Sequence, residues 1–174
     1  MTNVYLVLLL IIAVLMFSLA FSSLSLAPWV PTRKRDLKRA FKLAGLKPGE
    51  IFYDLGSGTG TTVFGASAEV GVKATGIELA LPMYLFSVLK KLVLQDKNAH
   101  FKLKSLFNED LSQADVVYVF GLPNTLKEKL VTKFKKELKP GSRVLSYVFP
   151  IHSLVPEVVD RPTDKDLSIY LYKF

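Results

Sequence analysis

The sequence predicts an α/β domain built on an open, mostly parallel seven-stranded sheet with an antiparallel edge, preceded by one N-terminal segment able to span a membrane. Three observations carry that reading. Short apolar or β-branched runs alternate with helix-period segments from Ile51 to Phe149, the rhythm of right-handed crossovers and of a sheet covered on both faces. The stretch Gly56-Ser57-Gly58-Thr59-Gly60 directly follows the first of these runs, at the strand-to-helix turn where open α/β sheets take their ligands. The tail, "LVPEVVDRPTDKDLSIYLYKF", has room for two strands with no helix between them, which places an antiparallel pair at a sheet edge.

The elements follow in order. From Val4 to Phe21 the chain carries no charge, and its apolar character continues through Leu26. At about 1.5 Å rise per residue, roughly 20 such residues cross a hydrocarbon core of about 30 Å. Met1-Thr2-Asn3 holds no basic residue, whereas Arg33, Lys34, Arg35, Lys38 and Arg39 follow the apolar run. That asymmetry predicts an uncleaved single-pass anchor with the N-terminus outside and the bulk of the protein on the cytoplasmic side. A cleaved signal peptide is the rival reading, because Ser18-Leu19-Ala20 and Ser25-Leu26-Ala27 resemble small-residue cleavage sites. The expected division is an anchor over residues 1–27 and one domain over residues 28–174, a length suited to a single core.

Pro28 and Pro31 make a stiff connector. Thr32 is placed to cap a helix running to Ala44, which Gly45 ends. Strands are then expected at 51–55, 73–78, 100–104, 115–120 and 143–149, with helices at 61–70, 81–94 and 125–138. The helix "LPMYLFSVLKKLVL" reads as core covered on both sides, with contact to lipid as the alternative. No charge precedes Arg33, so the whole formal excess of +8 belongs to the domain, which favours anionic headgroups when the domain is tethered to a bilayer. The lysines of "KEKLVTKFKKELK" fit one solvated helix face. The absence of cysteine excludes a disulfide framework and thiol chemistry, and no metal ligand is assigned.

The glycine loop is the most informative stretch. A phosphate-binding P-loop would end in Gly-Lys-Ser/Thr, and this loop has no lysine; a dinucleotide fingerprint would need glycine where Thr61 stands. What remains is Asp54-x-Gly56-x-Gly58-x-Gly60. A carboxylate before the first glycine repels a pyrophosphate and suits a ligand carrying an ammonium and a sulfonium; S-adenosylmethionine is such a ligand. Glu78 closes the next strand, where a carboxylate can accept both hydroxyls of a ribose. The duller readings are a tight turn for Gly58 and Gly60 and an exposed strand end for Glu78.

With these residues in place the chain resembles the seven-β-strand (class I) methyltransferases. More narrowly it resembles the small membrane-anchored group that includes the lysine methyltransferases of mitochondrial adenine nucleotide translocase and of the ATP synthase c-subunit, with prokaryotic relatives. The blocks "WVPT", "YDLGSGTG", "GIEL", "DLSQADVVYVFGLP", "KELKPGSRVLSYVFP" and "IYLY" carry it, from Trp29 to Tyr172. The resemblance implies a Rossmann-like domain using S-adenosylmethionine and, on a mitochondrial protein, a matrix-side catalytic domain. Asp54, Gly56, Ser57, Gly58 and Gly60 would cradle the methionine part and Glu78 the ribose. Thr32 would approach from the other side, and Ser105 and Leu106 would lie at the adenine. The chain departs from the family pattern at Thr59 and Thr61, where an acidic and a basic residue are usual, at Ala80 for asparagine, and at Ser105 for aspartate.

Methyl transfer is an in-line displacement in which alignment supplies much of the acceleration. A lysine acceptor, with an ordinary pKa of about 10.4, must first lose a proton, and an apolar site favours that loss. Phe120, Gly121, Leu122 and Pro123 are the acceptor-site candidates: a Phe120 wall and the carbonyls of Gly121 and Leu122 to orient the amine. Tyr147, Phe149 and Trp29 are further candidates for an aromatic surround. His152 reads as an exposed loop residue. The leading expectation is a membrane-anchored protein-lysine N-methyltransferase. The alternatives are methylation of a lipid or quinone-like molecule, and a non-catalytic cofactor-binding scaffold. A nucleic-acid partner is not expected, because no aromatic and basic interleaving suited to base stacking is present.

Overall fold

A computed structural model describes residues 2–25, 30–121 and 128–174. Helix α1 (Thr2–Ser25) contains the charge-free span Val4–Ser22, long and apolar enough to cross a bilayer and without one buried residue. Helix α2 (Lys34–Ala44) buries Leu37, Ala40, Phe41 and Ala44 on one side, the 3.6-residue stripe of an amphipathic helix. Gly45 ends it in the left-handed conformation, φ 57°, with its N–H returned to Lys42. Thr32 does not cap this helix, contrary to expectation: Arg33 holds the N-cap position with no side-chain bond. The Thr32 hydroxyl instead lies 3.0 Å from the phenol oxygen of Tyr118, a buried group that has to be hydrogen-bonded.

The remaining elements are β1 (Ile51–Leu55), α3 (Thr61–Val70), β2 (Lys73–Glu78), α4 (Leu81–Leu94), β3 (Ala99–Leu103), β4 (Val116–Val119), α5 (Glu128–Glu137), β5 (Arg143–Tyr147), β6 (Val158–Asp160) and β7 (Ile169–Lys173). They build one sheet of order β3-β2-β1-β4-β5-β7-β6. β3, β2, β1, β4 and β5 run parallel, and β7 is antiparallel to both β5 and β6, as the tail predicts. The order turns back between β1 and β4, which opens the ligand crevice at their carboxyl ends.

Alternation along β1 and β4 divides the core. Phe52, Val116 and Tyr118 face α2 and α3 with Phe41, Val63 and Tyr147. Tyr53, Leu55, Val117 and Val119 join Leu130, Phe134 and Tyr172 on the side of α5. Buried Asp36 ties α2 to the antiparallel edge: it accepts from the Tyr147 hydroxyl at 2.8 Å and from Arg39 at 2.9 Å, and Arg39 also reaches Asp160 at 2.8 Å.

Three strand ends differ from expectation. β3 closes at Leu103, because Lys104 bonds back to Glu78 and Ser105 then opens a 3-10 turn, Leu106–Asn108. β4 closes at Val119, leaving Phe120 in the loop. β5 closes at Tyr147, since Val148 takes φ 71° and cannot continue the ladder. The described part of the last helix starts at Glu128; residues 125–127 of its expected range lie outside the described residues.

The larger correction concerns α4. It is not covered on both sides: Ser87 is its one buried residue, while Leu85, Phe86, Leu89, Leu92 and Val93 are exposed. Its sheet-facing side carries Ser87, bonded to the Gly58 carbonyl at 3.0 Å, and Lys90, whose ammonium lies 4.7 Å from the Phe64 ring centre. The apolar face therefore points away from the domain.

Candidate cofactor site

The crevice is built by the ends of β1, β2 and β4. Because β1 pairs in parallel with both neighbours, Asp54 sits opposite Gly76 on one side and Tyr118 on the other. Asp54 is buried, and that burial together with the Glu78 charge pushes its carboxyl up to about 8, against a hydrogen bond from Thr62 that lowers it. A cation placed beside it would reverse this by favouring the charged form.

Past Asp54 the chain turns through Gly56 and Gly58, at φ 86° and 53°, a region side chains with a Cβ rarely enter. The turn aims the Gly58 N–H at Glu78 Oε2, 2.7 Å away. Glu78 Oε1 accepts from the amides of Leu79 and Ala80 at 2.8 and 2.7 Å. Its carboxylate is thus held rigidly at the crevice wall. Ser57 is also buried, and its Oγ has no hydrogen-bond partner among the described residues. A Cβ on Gly76 would stand 2.6 Å from that oxygen, so the glycine at 76 is what leaves Ser57 its place. An orphaned buried hydroxyl in a crevice that Asp54 and Glu78 also line marks a position where a polar ligand completes the bonding.

Of the residues singled out from the sequence, Thr32, Asp54, Gly56, Ser57, Glu78, Ser105, Leu106 and Phe120 line this one crevice. Gly58 stands behind it through its bond to Glu78. Gly60 does not line it: it holds the N-cap of α3 at φ 75°, with the Phe101 ring 2.7 Å from where a Cβ would be. Ser105 is engaged locally, its hydroxyl accepting from the Phe107 amide at 3.4 Å. Gly121 is buried next to Phe120. Leu122, Pro123 and Trp29 lie outside the described residues. Tyr147 is core, with its hydroxyl on Asp36, although its ring and that of Phe149 each stand 6.1 Å from Phe120.

The sequence reading missed Tyr118, Met83, Lys104 and, on α1, Leu19 and Ser22, all of which line the crevice. Tyr118 was legible in principle, since it shares the strand parity of Asp54. Burial drives its phenol well above the ordinary range, so it remains a protonated donor. Ser22 carried no signal, because α1 read as a separate anchor. Its hydroxyl donates to Glu78 Oε1 at 3.3 Å, and Ser18 Oγ accepts from the Leu81 amide at 2.8 Å.

A crevice at the sheet's turning point, with two buried carboxylates, a glycine turn and an orphaned hydroxyl, defines with this fold a class I methyltransferase that uses S-adenosylmethionine. The comparisons agree. Residues 54–158 match the ANTKMT methyltransferase domain, and the chain belongs to that family. Over 151 residues it is 34% identical to a protein-lysine N-methyltransferase of Saccharolobus islandicus, covering 83% of this chain and 92% of that one. It is 28% identical to an H3 lysine-79 specific histone-lysine N-methyltransferase of Dictyostelium discoideum, over 74% of this chain but 8% of that much longer protein. A structure of an RNA methyltransferase from Salinibacter ruber bound to S-adenosylhomocysteine superposes with a TM-score of 0.77 at 29% identity, over 83% of this chain and 93% of that one.

Proposed function

We propose that the protein is a membrane-anchored protein-lysine N-methyltransferase acting on a membrane or membrane-proximal protein. The observation that carries it is the match to the Saccharolobus protein-lysine enzyme along nearly its whole length. The membrane part of the reading is supported by the length and composition of α1, whose Leu19 and Ser22 form part of the crevice wall. The charge asymmetry about α1 favours the cytoplasmic side, or the matrix side, for the domain.

When bound, S-adenosylmethionine supplies the electrophilic methyl group. The chain's own residues do the rest by binding and orientation. Asp54 offers its carboxyl to positive charge, Glu78 accepts hydroxyl donors, and the Ser57 hydroxyl gains a partner that it lacks among the described residues. Gly56 keeps the turn bare enough for close approach. Phe120, at the end of β4 on the crevice wall, supplies with Phe149 an apolar, aromatic side to the acceptor entrance. There an uncharged lysine amine is favoured over the ammonium, and the Gly121 carbonyl is a candidate acceptor for its N–H groups.

The test is transfer of labelled methyl groups from S-adenosylmethionine by the full chain in nanodiscs, given membranes from cells lacking the gene, with Gly58→Arg as the dead control. Label on a protein band, mapped to lysine, is the expected result. Label in the lipid extract would substitute the small-molecule reading. Label in RNA, the substrate class named for the Salinibacter relative, would substitute that one.

A further inference from the structure

Helix α4 is amphipathic the wrong way round for a domain surrounded by water. Its exposed side chains Leu85, Phe86, Leu89, Leu92 and Val93 recur at i, i+1, i+4, i+7 and i+8, one continuous stripe. Leu89 is 62% and Val93 81% exposed. Of its polar side chains, Ser87 and Lys90 turn inward to the Gly58 carbonyl and the Phe64 ring, and Lys91 is half-buried outside the stripe. An apolar stripe of this size on a basic domain marks a contact with an apolar phase.

What covers it is indicated by its neighbour. α1 packs along the start of α4: Ser18 Oγ accepts from the Leu81 amide, and Leu10, Ile11, Val14 and Leu15 border a gap beside Leu81. The two helices share one apolar surface, and the span on α1, with nothing buried over Val4–Ser22, is already of the length and composition that hydrocarbon takes up. Just beyond α1 stand Arg33 and Lys34, both exposed, cations suited to an anionic headgroup layer.

We propose that the outer face of α4 is a second lipid-contacting element, lying in the interface of an anionic bilayer beside α1, so that the cofactor crevice is held at the membrane surface by two helices rather than hung from one tether. The inference rests on the anchor reading of α1 for its neighbour, and not on the methyl-transfer reading.

The chain holds a single tryptophan, Trp29. In full-length Trp29→Phe protein, Leu89→Trp and, separately, Val93→Trp report on α4, while Leu9→Trp reports on α1. Each variant is reconstituted in phosphatidylcholine/phosphatidylglycerol vesicles with plain or brominated acyl chains. Loss of most of the emission from positions 89 and 93 in brominated vesicles is the expected result. Quenching at position 9 with unquenched emission at 89 and 93 would overturn the proposal and leave the anchor standing. A blue-shifted, unquenched signal at 89 and 93 would also overturn it, in favour of a protein partner or a second copy. Quenching at none of the three positions would overturn both readings of the membrane, whatever the enzyme assay shows.

Discussion

The crevice has two walls of different origin. One is the glycine turn with Asp54, Ser57 and Glu78, drawn from adjacent parallel strands. The other is contributed by Leu19 and Ser22 of α1 and Met83 of α4. On the first wall Glu78 is fixed by the backbone, three amides holding it at 2.7 to 2.8 Å, while Asp54 takes a side-chain hydrogen bond from Thr62. From the second, the Ser22 hydroxyl reaches Glu78 at 3.3 Å and the Ser87 hydroxyl of α4 reaches the Gly58 carbonyl at 3.0 Å. At Glu78 the strand wall is therefore held by backbone amides, whereas the helix wall meets it through two serine hydroxyls and apolar packing. Substitutions on the two walls should differ in size accordingly.

The largest effect is expected from Gly58→Arg. Position 58 is buried at φ 53°, and its amide anchors Glu78; a side chain there strains the turn by about 1–2 kcal/mol and disturbs the amide that holds the Glu78 carboxylate. S-adenosylhomocysteine binding, measured by calorimetry, should fall below detection. Thermal unfolding of the same variant checks that the fold survives; retained binding would show that the glycine turn is not the cofactor wall.

Next comes Glu78→Ala. Hydrogen bonds to a charged group contribute about 1.5–3 kcal/mol each, so affinity for S-adenosylhomocysteine should drop by roughly 100-fold. Glu78→Gln should recover part of the loss, because its carbonyl oxygen still accepts from one side. Equal losses in both variants would point to collapse of the turn rather than loss of a ligand contact.

The Asp54 carboxyl sharpens the contrast through pH. Its folded value, raised to about 8 chiefly by burial, lies above its ordinary value of 3.8. Between those limits the folded state binds the extra proton, so the stability of the unliganded protein should fall as pH rises from about 4 to about 8. A cationic ligand favours the ionised form, so its affinity should rise across the upper part of that window. Asp54→Asn should flatten both profiles, read as melting temperature against pH and as S-adenosylmethionine affinity against pH. An unchanged slope in the variant would remove Asp54 as the titrating group.

The same division explains what was legible in the sequence. Strands and crossovers were, because alternation and turn residues are local signals; β1, α3, β2 and α4 fall on their expected ranges. So was the strand wall, because residues that end neighbouring parallel strands must meet, and Asp54, Ser57 and Glu78 do. The helix wall was not. Periodicity shows that α4 has an apolar face but not what that face meets, and the expectation of a sheet on one side and a neighbour on the other failed at Leu85, Phe86 and Leu89. Thr32 failed differently: it has the chemistry of a helix cap, yet a buried Tyr118 hydroxyl from a strand 86 residues away is its partner. Val148 ended β5 early through a backbone angle that no residue preference predicts.

The smallest and most discriminating effect belongs to Ser22. Its hydroxyl donates to Glu78 Oε1, the carboxylate assigned to the ribose in the proposed function, and on that reading α1 and the cofactor would compete for one acceptor. Ser22→Ala removes the competitor and leaves Glu78 with its three amides. Such a long neutral-to-charged contact is worth roughly 0.7 kcal/mol at the low end of the usual range, which corresponds to an affinity for S-adenosylhomocysteine about threefold higher. Calorimetry on the full chain in nanodiscs and again in detergent reads both the size and the role of the helix. A gain that is larger in nanodiscs would mean the bilayer presses α1 onto the crevice. A loss of affinity would make Ser22 a ligand contact in its own right, and the helix wall would then be a working part of the site rather than its rival.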